Sequence, residues 1–467
     1  MAALFTVAAM VSLSRARDPL DDYVASLVAK AHEQNLAEDE MWLRLGHYRK
    51  TLFGNWKSEQ DNRAFFLAED GKADPQAELD ATLRGIFAPE IPNEKGSVQH
   101  PLCRFPARAM FLARALDIDM GRVRQRDCPR VRAFAKALNP KGVSLVFSSY
   151  YLNNPASAFG HTFLRFHRGS TANGSERADL TDFGIDFAAN VDTRNAFVYA
   201  FKGLSGLFPG TFHRIPYYYK VREYNDYESR DLWEYELDLT DQELLMLTAH
   251  IWELGSAHFD YFYLTENCSY HILGALEGAG PRFDLIDKTR FPVLPADTVK
   301  IVWDNPDLVR RIRFRPSIRT QFQSRAAMLS NEELDLVAAL ARDPDAPLPE
   351  GIEEDRVIAV FDAAADLIDL TYAKELILKT DGDAAELKRR LLARRAAIRR
   401  PSPSLDYAAP PSETPHNGHG AMRVGVGGGG GGWRRRFRGG PRPARFARSR
   451  RSGARLSGNV ADRVSAF

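Results

Sequence analysis

Two short segments of the chain carry the residue types that covalent chemistry needs. The first, residues 154–164, is a loop of small residues that delivers His161 at the start of an apolar run. The second, residues 265–271, places Cys268 directly after Asn267. Asparagine is a favoured helix N-cap, so this order predicts that Cys268 lies in the first turn of a helix. The positive end of a helix dipole favours the thiolate over the thiol.

A thiol paired with an imidazole is the arrangement that nucleophilic catalysis requires. The thiolate of Cys268 would attack an acyl carbonyl, and His161 would hold the thiolate and then transfer protons to or from the reacting groups. The two residues are 107 apart, so spacing alone does not show that they meet. His271 is a rival base, although it would lie alongside the thiol on the same helix turn. The structural alternative is a buried cysteine and a hydrogen-bonded core histidine.

The surrounding pattern predicts the elements that must position these residues. Apolar and alternating runs predict strands at 143–151, 161–166, 180–189 and 232–239. A helix is predicted over Asp241–Gly255, where Thr240 and Glu243 form a capping box, and a second helix from near Asn267 to Glu277. The fold class is therefore α+β in the middle of the chain. Helical periodicity predicts helical regions on both sides of it.

Composition and charge limit the function classes. The chain of 467 residues is 44% hydrophobic and 27% charged, so it buries a core. Its formal net charge of +2 is unevenly spread, because residues 433–467 hold eleven arginines and one acidic residue. Residues 1–432 are acidic as a whole, so we expect no nucleic-acid partner. We also expect no cofactor and no metal, because the spacing of histidine and cysteine does not suit a zinc site.

The N-terminus predicts export. Residues 2–13 are mostly apolar and lead to Ser14-Arg15-Ala16, a small-x-small pattern that signal peptidase recognises, although no basic residue comes before the apolar run. No run reaches the ~18 apolar residues of a membrane-spanning helix, so membrane association is expected at the surface. In an exported chain, an odd count of three cysteines predicts a Cys103–Cys128 disulfide and a free Cys268.

Five longer motifs resemble the bacterial family named for the Lnb N-terminal periplasmic domain. They are CRFPAR (103–108), NPASAFGHTFLRF (154–166), FPGTFHRIPYYYKVREYN (208–225), RDLWEYEL (230–237) and ENCSY (266–270). The resemblance covers most of residues 18–425. The order of a histidine before an Asn-Cys pair also resembles circularly permuted papain-like thiol enzymes. The resemblance implies a papain-like fold with an antiparallel sheet and an acyl-transfer site, in which Cys268 is the nucleophile and His161 the base.

A third polar group that orients the imidazole is expected on the strand after the histidine. The stretch Asp182–Asn190 offers Asp186, which matches an alternating polar position of the resembled family, often Asn. Asp182 has the same strand parity and is the rival. A surface carboxylate is the alternative reading of either residue. The segments Tyr217–Lys220 and Glu223–Asn225 would either line a substrate groove or cover the sheet.

The resemblance implies an exported cell-envelope enzyme that transfers acyl groups through a thioester on Cys268, as in lipoprotein N-acylation. Its substrate would be a lipoprotein, a lipid or an envelope peptide. A cysteine peptidase or amidase of the envelope would use the same residues with water as the acceptor. A non-catalytic binding module, with Cys268 buried and a tyrosine-rich surface, is the alternative from another class.

We expect six segments along the chain. In order they are a signal peptide at 1–16, a helical domain at 17–138, the papain-like thiol domain at 139–300, a helical region at 301–400, a linker with the start of a truncated β domain at 401–432, and a disordered tail at 433–467. The tail is rich in Arg, Pro, Gly and Ala, as out-of-frame translation of a GC-rich gene would be. We therefore hypothesise a frameshift near residues 427–433.

Overall fold

The computed structural model describes residues 18–89, 99–124, 127–151, 158–168, 180–379, 381–405, 414–418 and 420. The chain divides into two compact units, Met1–Val131 and Arg132–Phe467. The predicted signal peptide and the arginine-rich tail, including the site of the hypothesised frameshift, lie outside the described residues.

The first unit is predominantly helical, as the sequence predicts. Its helices are Pro19–Glu33 (α1), Glu40–Leu45 (α2), Pro75–Ile86 (α3), Pro101–Arg104 (α4) and Pro106–Ala115 (α5). The side chains of Asp18, Asp39 and Asp74 cap the first three. The apolar faces meet in a core that includes Leu27, Trp42, Leu79, Leu83 and Leu112. A two-stranded hairpin, Tyr48–Lys50 (β1) and Trp56–Ser58 (β2), was not predicted.

A disulfide joins Cys103 to Cys128 in the first unit, and Cys268 is a free cysteine. The Cα atoms of the pair are 5.3 Å apart, within the range that a disulfide bridges without backbone movement. The predicted pairing is therefore confirmed.

The second unit is built on a seven-stranded antiparallel sheet in the order β8-β6-β5-β4-β3-β7-β9. Its strands are Gly142–Ser148 (β3), His161–His167 (β4), Phe183–Ala189 (β5), Phe208–Pro216 (β6), Leu232–Leu237 (β7), Phe259–Tyr261 (β8) and Val309–Arg315 (β9). Strands β3 and β4 are central and almost wholly buried. Their register pairs Ser148, the last residue of β3, with His161, the first residue of β4, so His161 lies at the end of these central strands.

Some helices of the second unit pack against this sheet, and others follow its last strand in the chain. They are Pro129–Leu138 (α6), Ala196–Leu204 (α7), Tyr217–Val221 (α8), Asp241–Leu254 (α9), Cys268–Glu277 (α10), Pro295–Trp303 (α11), Ile318–Ala326 (α12), Asn331–Arg342 (α13), Glu354–Leu378 (α14) and Asp383–Ala397 (α15). The capping box of Thr240 and Glu243 starts α9 as predicted. The fold class, an antiparallel α+β domain with helical flanks, is confirmed.

Strand β9 corrects the expectation that residues 301–400 are only helical. Residues Val309–Arg315 form an edge strand that pairs with β7. The many arginines conceal the strand pattern in the sequence. At the edge, however, Arg310 and Arg311 both reach the Glu236 carboxylate of β7. Charged side chains are common on edge strands because they oppose pairing with further chains.

One face of the sheet carries the charged groups that matter for the site. Side chains alternate along a strand, so His161, Phe163 and Arg165 of β4 share a face. Asp186 of β5 lies one residue beyond the Leu164–Ile185 pair and points to that same face. Helix α8 and the wider π-helical turn that follows it, Arg222–Tyr227, cover this face. The buried apolar contacts between them are Val146, Phe163, Tyr217, Tyr224 and Leu232.

Candidate active site

Cys268 is the first residue of α10, as the sequence predicts. The side chain of Asn267 caps the helix by accepting hydrogen bonds from the backbone N–H groups of Ser269 and Tyr270. Its own amide donates to the carbonyl oxygens of Tyr263 and Val293, at 3.1 and 2.7 Å. The amide oxygen and the amide nitrogen of Asn267 are thus both hydrogen-bonded, which fixes the start of the helix and the position of the thiol on it. Cys268 is 6% exposed.

His161 begins β4 directly after Gly160, whose φ of +92° belongs to the left-handed region. A Cβ at Gly160 would lie 2.8 Å from the Phe147 ring and 2.9 Å from the Ser148 carbonyl oxygen, so only glycine fits this turn. The turn directs the imidazole at the start of α10. Nδ1 of His161 lies 3.1 Å from Sγ of Cys268.

Asp186 holds the opposite side of the imidazole. Its Oδ1 lies 2.7 Å from Nε2 of His161, and both side chains are largely buried. The rival aspartate, Asp182, lies four residues earlier on the same face and has other partners. It accepts from the guanidinium of Arg165 at 2.7 and 2.9 Å and contacts His167 at 3.2 Å. The structure therefore brings Asp186, not Asp182, together with His161 and Cys268.

A fourth group belongs to the same cluster. The Nζ atom of Lys220, on α8, lies 2.8 Å from Oδ2 of Asp186. From sequence, the Tyr217–Lys220 segment is expected only to line a substrate groove or to cover the sheet. A lysine among aromatic residues is a weak signal for a buried ion pair, and its carboxylate partner lies on a different element.

The electrostatics of the cluster favour charge separation between sulfur and imidazole. Burial raises the pKa of the Cys268 thiol, but the charge and hydrogen bond of His161 outweigh it, and the pKa lies below its ordinary value. The backbone N–H of Thr162 also hydrogen-bonds to the sulfur. Burial opposes a charged imidazole, yet Tyr224, Cys268 and Asp186 raise the pKa of His161 well above its ordinary value. Both shifts favour the thiolate–imidazolium form of the pair over the neutral form.

The carboxylate stays ionised beside this pair. Burial raises the pKa of Asp186, but His161 and then Lys220 outweigh burial and hold the pKa far below its ordinary value. An ionised carboxylate accepts the Nε2–H of the imidazole, which keeps the other ring nitrogen directed at the sulfur. The three residues have the geometry that nucleophile, base and orienting group require.

The rival base predicted from sequence, His271, has a different environment. Its ring packs among aromatic side chains, with centroid distances of 4.4 Å to Phe187 and 4.2 Å to Phe259. His161, not His271, is the histidine that hydrogen-bonds to the thiol.

Two tyrosines, Tyr261 and Tyr263, interact electrostatically with the thiol. Burial raises the pKa of Tyr261, and the Cys268 thiolate raises it further, while a hydrogen bond with the Cys268 backbone lowers it. Burial raises the pKa of Tyr263 to about 12, with smaller contributions from Tyr199 and Cys268. The ring of Phe159 lies 6.1 Å from that of Tyr263. Tyrosine side chains therefore lie within electrostatic reach of the sulfur.

The fold and the site together define an α+β domain with a buried Cys–His–Asp cluster at the start of a helix. Residues 130–305, which contain β3 to β8 and all three residues of that cluster, match the family model of the Lnb N-terminal periplasmic domain. This stretch of the chain is similar to that family, as the motifs predict. A periplasmic domain of this kind makes the chain an exported protein of the cell envelope.

Two other family models match the flanks. Residues 34–115 match one domain of unknown function, DUF7843, and residues 312–406 match another, DUF7842. The CRFPAR motif at 103–108 lies within the first of these spans, so the Lnb match covers less of the chain than residues 18–425. No curated protein and no solved structure matches the chain.

Among the helices that the structure describes, none combines the length and the apolar character needed to cross a bilayer. Nor does any cluster of three or more His, Cys, Asp or Glu side chains in the described part of the chain have the arrangement of a metal site.

Proposed function

We propose that this protein is an envelope thiol acyltransferase that carries its acyl group as a thioester on Cys268. The observation that carries the proposal is the contact of Sγ with Nδ1 of His161, with Asp186 on the opposite nitrogen. A buried thiolate held by an imidazolium is a strong nucleophile that also has a proton donor within reach.

The first half-reaction would use both members of the pair. The thiolate attacks an ester or amide carbonyl and forms a C–S bond, and the positive end of the α10 dipole favours the charge of the tetrahedral oxyanion. His161 gives its Nδ1 proton to the leaving oxygen or nitrogen as the old bond breaks. The product is a thioester on Cys268 and a neutral imidazole.

The second half-reaction would reverse the roles. The neutral imidazole of His161 removes a proton from the acceptor as that group attacks the thioester carbonyl. The C–S bond breaks, and the site returns to thiolate and imidazolium. An amine acceptor yields an N-acylated product, such as an acylated lipoprotein, whereas water yields a free acid and would make the protein a hydrolase.

The surface beside the thiol supports a lipid as the acyl donor. Helix α7 exposes Phe197 (89%), Phe201 (66%) and Leu204 (58%) on one side. On the opposite side its Tyr199 packs 5.8 Å from the ring of Phe208, and it also interacts electrostatically with the tyrosines beside Cys268. We propose that this exposed side lies on the bilayer surface and that acyl chains approach the thiol from there, because aromatic and aliphatic side chains partition into the membrane interface.

The test of the chemistry is mass spectrometry of the intact protein after incubation with diacyl phospholipid and a lipopeptide that bears a free amine. Wild type should gain the mass of one acyl chain, which hydroxylamine removes, and the lipopeptide should become N-acylated. Cys268→Ala and His161→Ala should show neither product. His167→Asn is the matched control, because it changes a histidine of the same strand that does not contact the thiol.

Envelope lipoproteins and peptidoglycan fragments from cells with wild type or Cys268→Ala extend this test to natural substrates. Release of fatty acid or cleaved peptide without transfer would assign the peptidase or amidase alternative. A thiol that neither acylates nor reacts with alkylating reagents would leave the non-catalytic binding module.

The test of the membrane surface is flotation with phospholipid vesicles. The double variant Phe197→Ser/Phe201→Ser should lose vesicle binding, whereas Leu378→Ser, which changes an exposed leucine of α14, should retain it. Equal flotation of both variants would contradict the assignment of α7.

A further inference from the structure

Lys220 lies where a lysine is normally unfavourable. It is 6% exposed, and a buried ammonium group is destabilising unless it is paired. Its Nζ lies 2.8 Å from Asp186 and 3.1 Å from Glu223, and donates to the hydroxyl of Tyr224 at 3.1 Å. All three partners lie at or next to the site, so the lysine is held there by the groups around the thiol.

The two oxygens of Asp186 are divided between a histidine and this lysine. Oδ1 contacts Nε2 of His161 at 2.7 Å and Oδ2 contacts Nζ of Lys220 at 2.8 Å. The lysine stem passes over β5 at Gly184, where an added Cβ would lie 3.7 Å from Cγ of Lys220. A carboxylate that is hydrogen-bonded through both oxygens has one orientation, and that orientation directs Oδ1 at the imidazole.

Charge balance gives the lysine a second effect. A thiolate and an imidazolium cancel, but the Asp186 carboxylate adds one negative charge to a buried cluster. That charge favours the imidazolium of His161 and disfavours the thiolate of Cys268. The ammonium of Lys220 offsets the charge of Asp186, so the aspartate can orient the histidine without suppressing the thiolate.

We propose that Lys220 is a positioning residue that acts through Asp186, holding the carboxylate charged and aimed at His161 while offsetting its effect on the Cys268 thiolate. This inference rests on the proposed function, in which that thiolate is the nucleophile. The lysine itself does not contact the sulfur.

Other titratable groups also face the cluster. Tyr224 adjoins both His161 and Lys220, and the half-exposed Glu223 reaches only the lysine. Tyr261 and Tyr263 face the thiol from β8 and the loop after it. Burial raises the pKa of each of these three tyrosines, whereas the pKa of the thiol is lowered, so the tyrosines stay neutral while the thiol titrates. The acid limb of thiol reactivity therefore reports on Cys268 and the charged groups around it, among which the half-exposed Glu223 contacts the lysine.

The experiment measures the rate of alkylation by iodoacetamide against pH in the full chain. Cys268 is the free cysteine, so the rate reports on that thiol alone. In Lys220→Met the midpoint of the acid limb should rise by about one pH unit, which lowers the rate below the midpoint about tenfold. Lys220→Arg keeps the charge and should restore most of the rate. Lys72→Met, which breaks a lysine–aspartate pair of the first unit, should leave the profile unchanged.

The double variant Asp186→Asn/Lys220→Met covers the case in which the single variant fails to fold. The double variant removes both charges, so the midpoint of its acid limb should lie at lower pH than that of Lys220→Met. If only the double variant folds, its midpoint should lie within about half a pH unit of that of wild type. An unchanged profile in folded Lys220→Met, or a double variant displaced further than the single one, would overturn the inference. Formation of the thioester is scored separately. A thioester with an unmoved profile rejects the role of Lys220, whereas a shifted profile without a thioester rejects the acyltransferase.

Discussion

Two buried ionic clusters share one face of the central sheet, and each depends on an aspartate of β5 or of the turn that leads into it. Asp186 joins His161, Cys268 and Lys220 at one end. Asp182, four residues earlier, joins the cluster around Arg165. Residue type, strand parity and burial are alike, so none of these distinguishes the two aspartates.

The difference lies in how each cluster ends. Arg165 donates to both Asp182 and Glu234, and the hydroxyl of Tyr217 donates to Glu234 at 2.6 Å. The backbone N–H of Arg168 completes the shell of Asp182 at 2.9 Å. In that cluster each carboxylate is paired with the guanidinium of Arg165, and neither partner is a nucleophile. The Asp186 cluster instead ends in the thiol of Cys268, whose thiolate is a nucleophile.

The role of a buried carboxylate therefore depends on which group lies at the far end of its hydrogen-bond chain. We expect the Asp182 cluster to govern stability and the Asp186 cluster to govern reactivity. The following variants separate these two effects.

The largest effect is expected for Cys268→Ser. A hydroxyl fills nearly the same space but ionises far less readily, so turnover should fall by about 10³-fold or more. The free energy of unfolding should stay within about 1 kcal/mol of wild type, because the volume and the helix cap are retained. Acyl-transfer rates and urea unfolding measure the two quantities. Full activity in the serine variant would remove the thiol from the mechanism.

The position of this thiol was predictable from sequence, because a helix N-cap is a local signal. Asn267 before Cys268 specified the first helical turn, and the Gly160–His161 step specified a histidine at a strand start. The choice between Asp186 and Asp182 required the resemblance to a known family, since both have the same parity. Lys220 and strand β9 were missed, because the carboxylates that they pair with lie on elements distant in sequence.

The second prediction concerns the other cluster. Arg165→Met leaves Asp182 and Glu234 buried without their cation, and breaking a buried ion pair in this way costs about 3–5 kcal/mol. Urea unfolding should show this loss, while the alkylation rate of Cys268 in the folded variant stays within about twofold of wild type. A variant of normal stability that alkylates slowly would show that the two clusters are coupled.

The third prediction compares the same substitution, Asp→Asn, at Asp186 and at Asp182. Asp186→Asn should slow acyl transfer by about 10²-fold, because a neutral amide holds the imidazolium less well. Asp182→Asn should leave the rate nearly unchanged and lower the free energy of unfolding by about 1–3 kcal/mol, because Arg165 loses a charged partner. Parallel kinetics and unfolding of the two variants decide the matter. Similar profiles from both would remove the distinction between the clusters.

The smallest effect is the dependence of stability on pH. Burial raises the pKa of Asp182. Hydrogen bonds from His167 and the Arg168 backbone, together with the charge and hydrogen bonds of Arg165, outweigh burial and hold that pKa below its ordinary value. Burial likewise raises the pKa of Glu234, and Arg165 and Tyr217 outweigh it. Carboxyl groups whose pKa is lower in the folded state bind protons more readily in the unfolded chain. Their stabilisation is complete above the unfolded values and is lost as pH falls through the folded ones.

The difference in the free energy of unfolding between wild type and Asp182→Asn should therefore be largest above about pH 5 and shrink by about 1 kcal/mol on acidification to about pH 3. Urea titrations of both proteins at each pH measure it, and the subtraction cancels the carboxylates that they share. Asp186→Asn should show the same trend in unfolding, because the pKa of Asp186 is also lowered. Only the Asp186 variant should change the pH profile of Cys268 alkylation. A difference for Asp182→Asn that stays constant with pH would mean that Asp182 stabilises the fold by its shape and hydrogen bonds rather than by its charge.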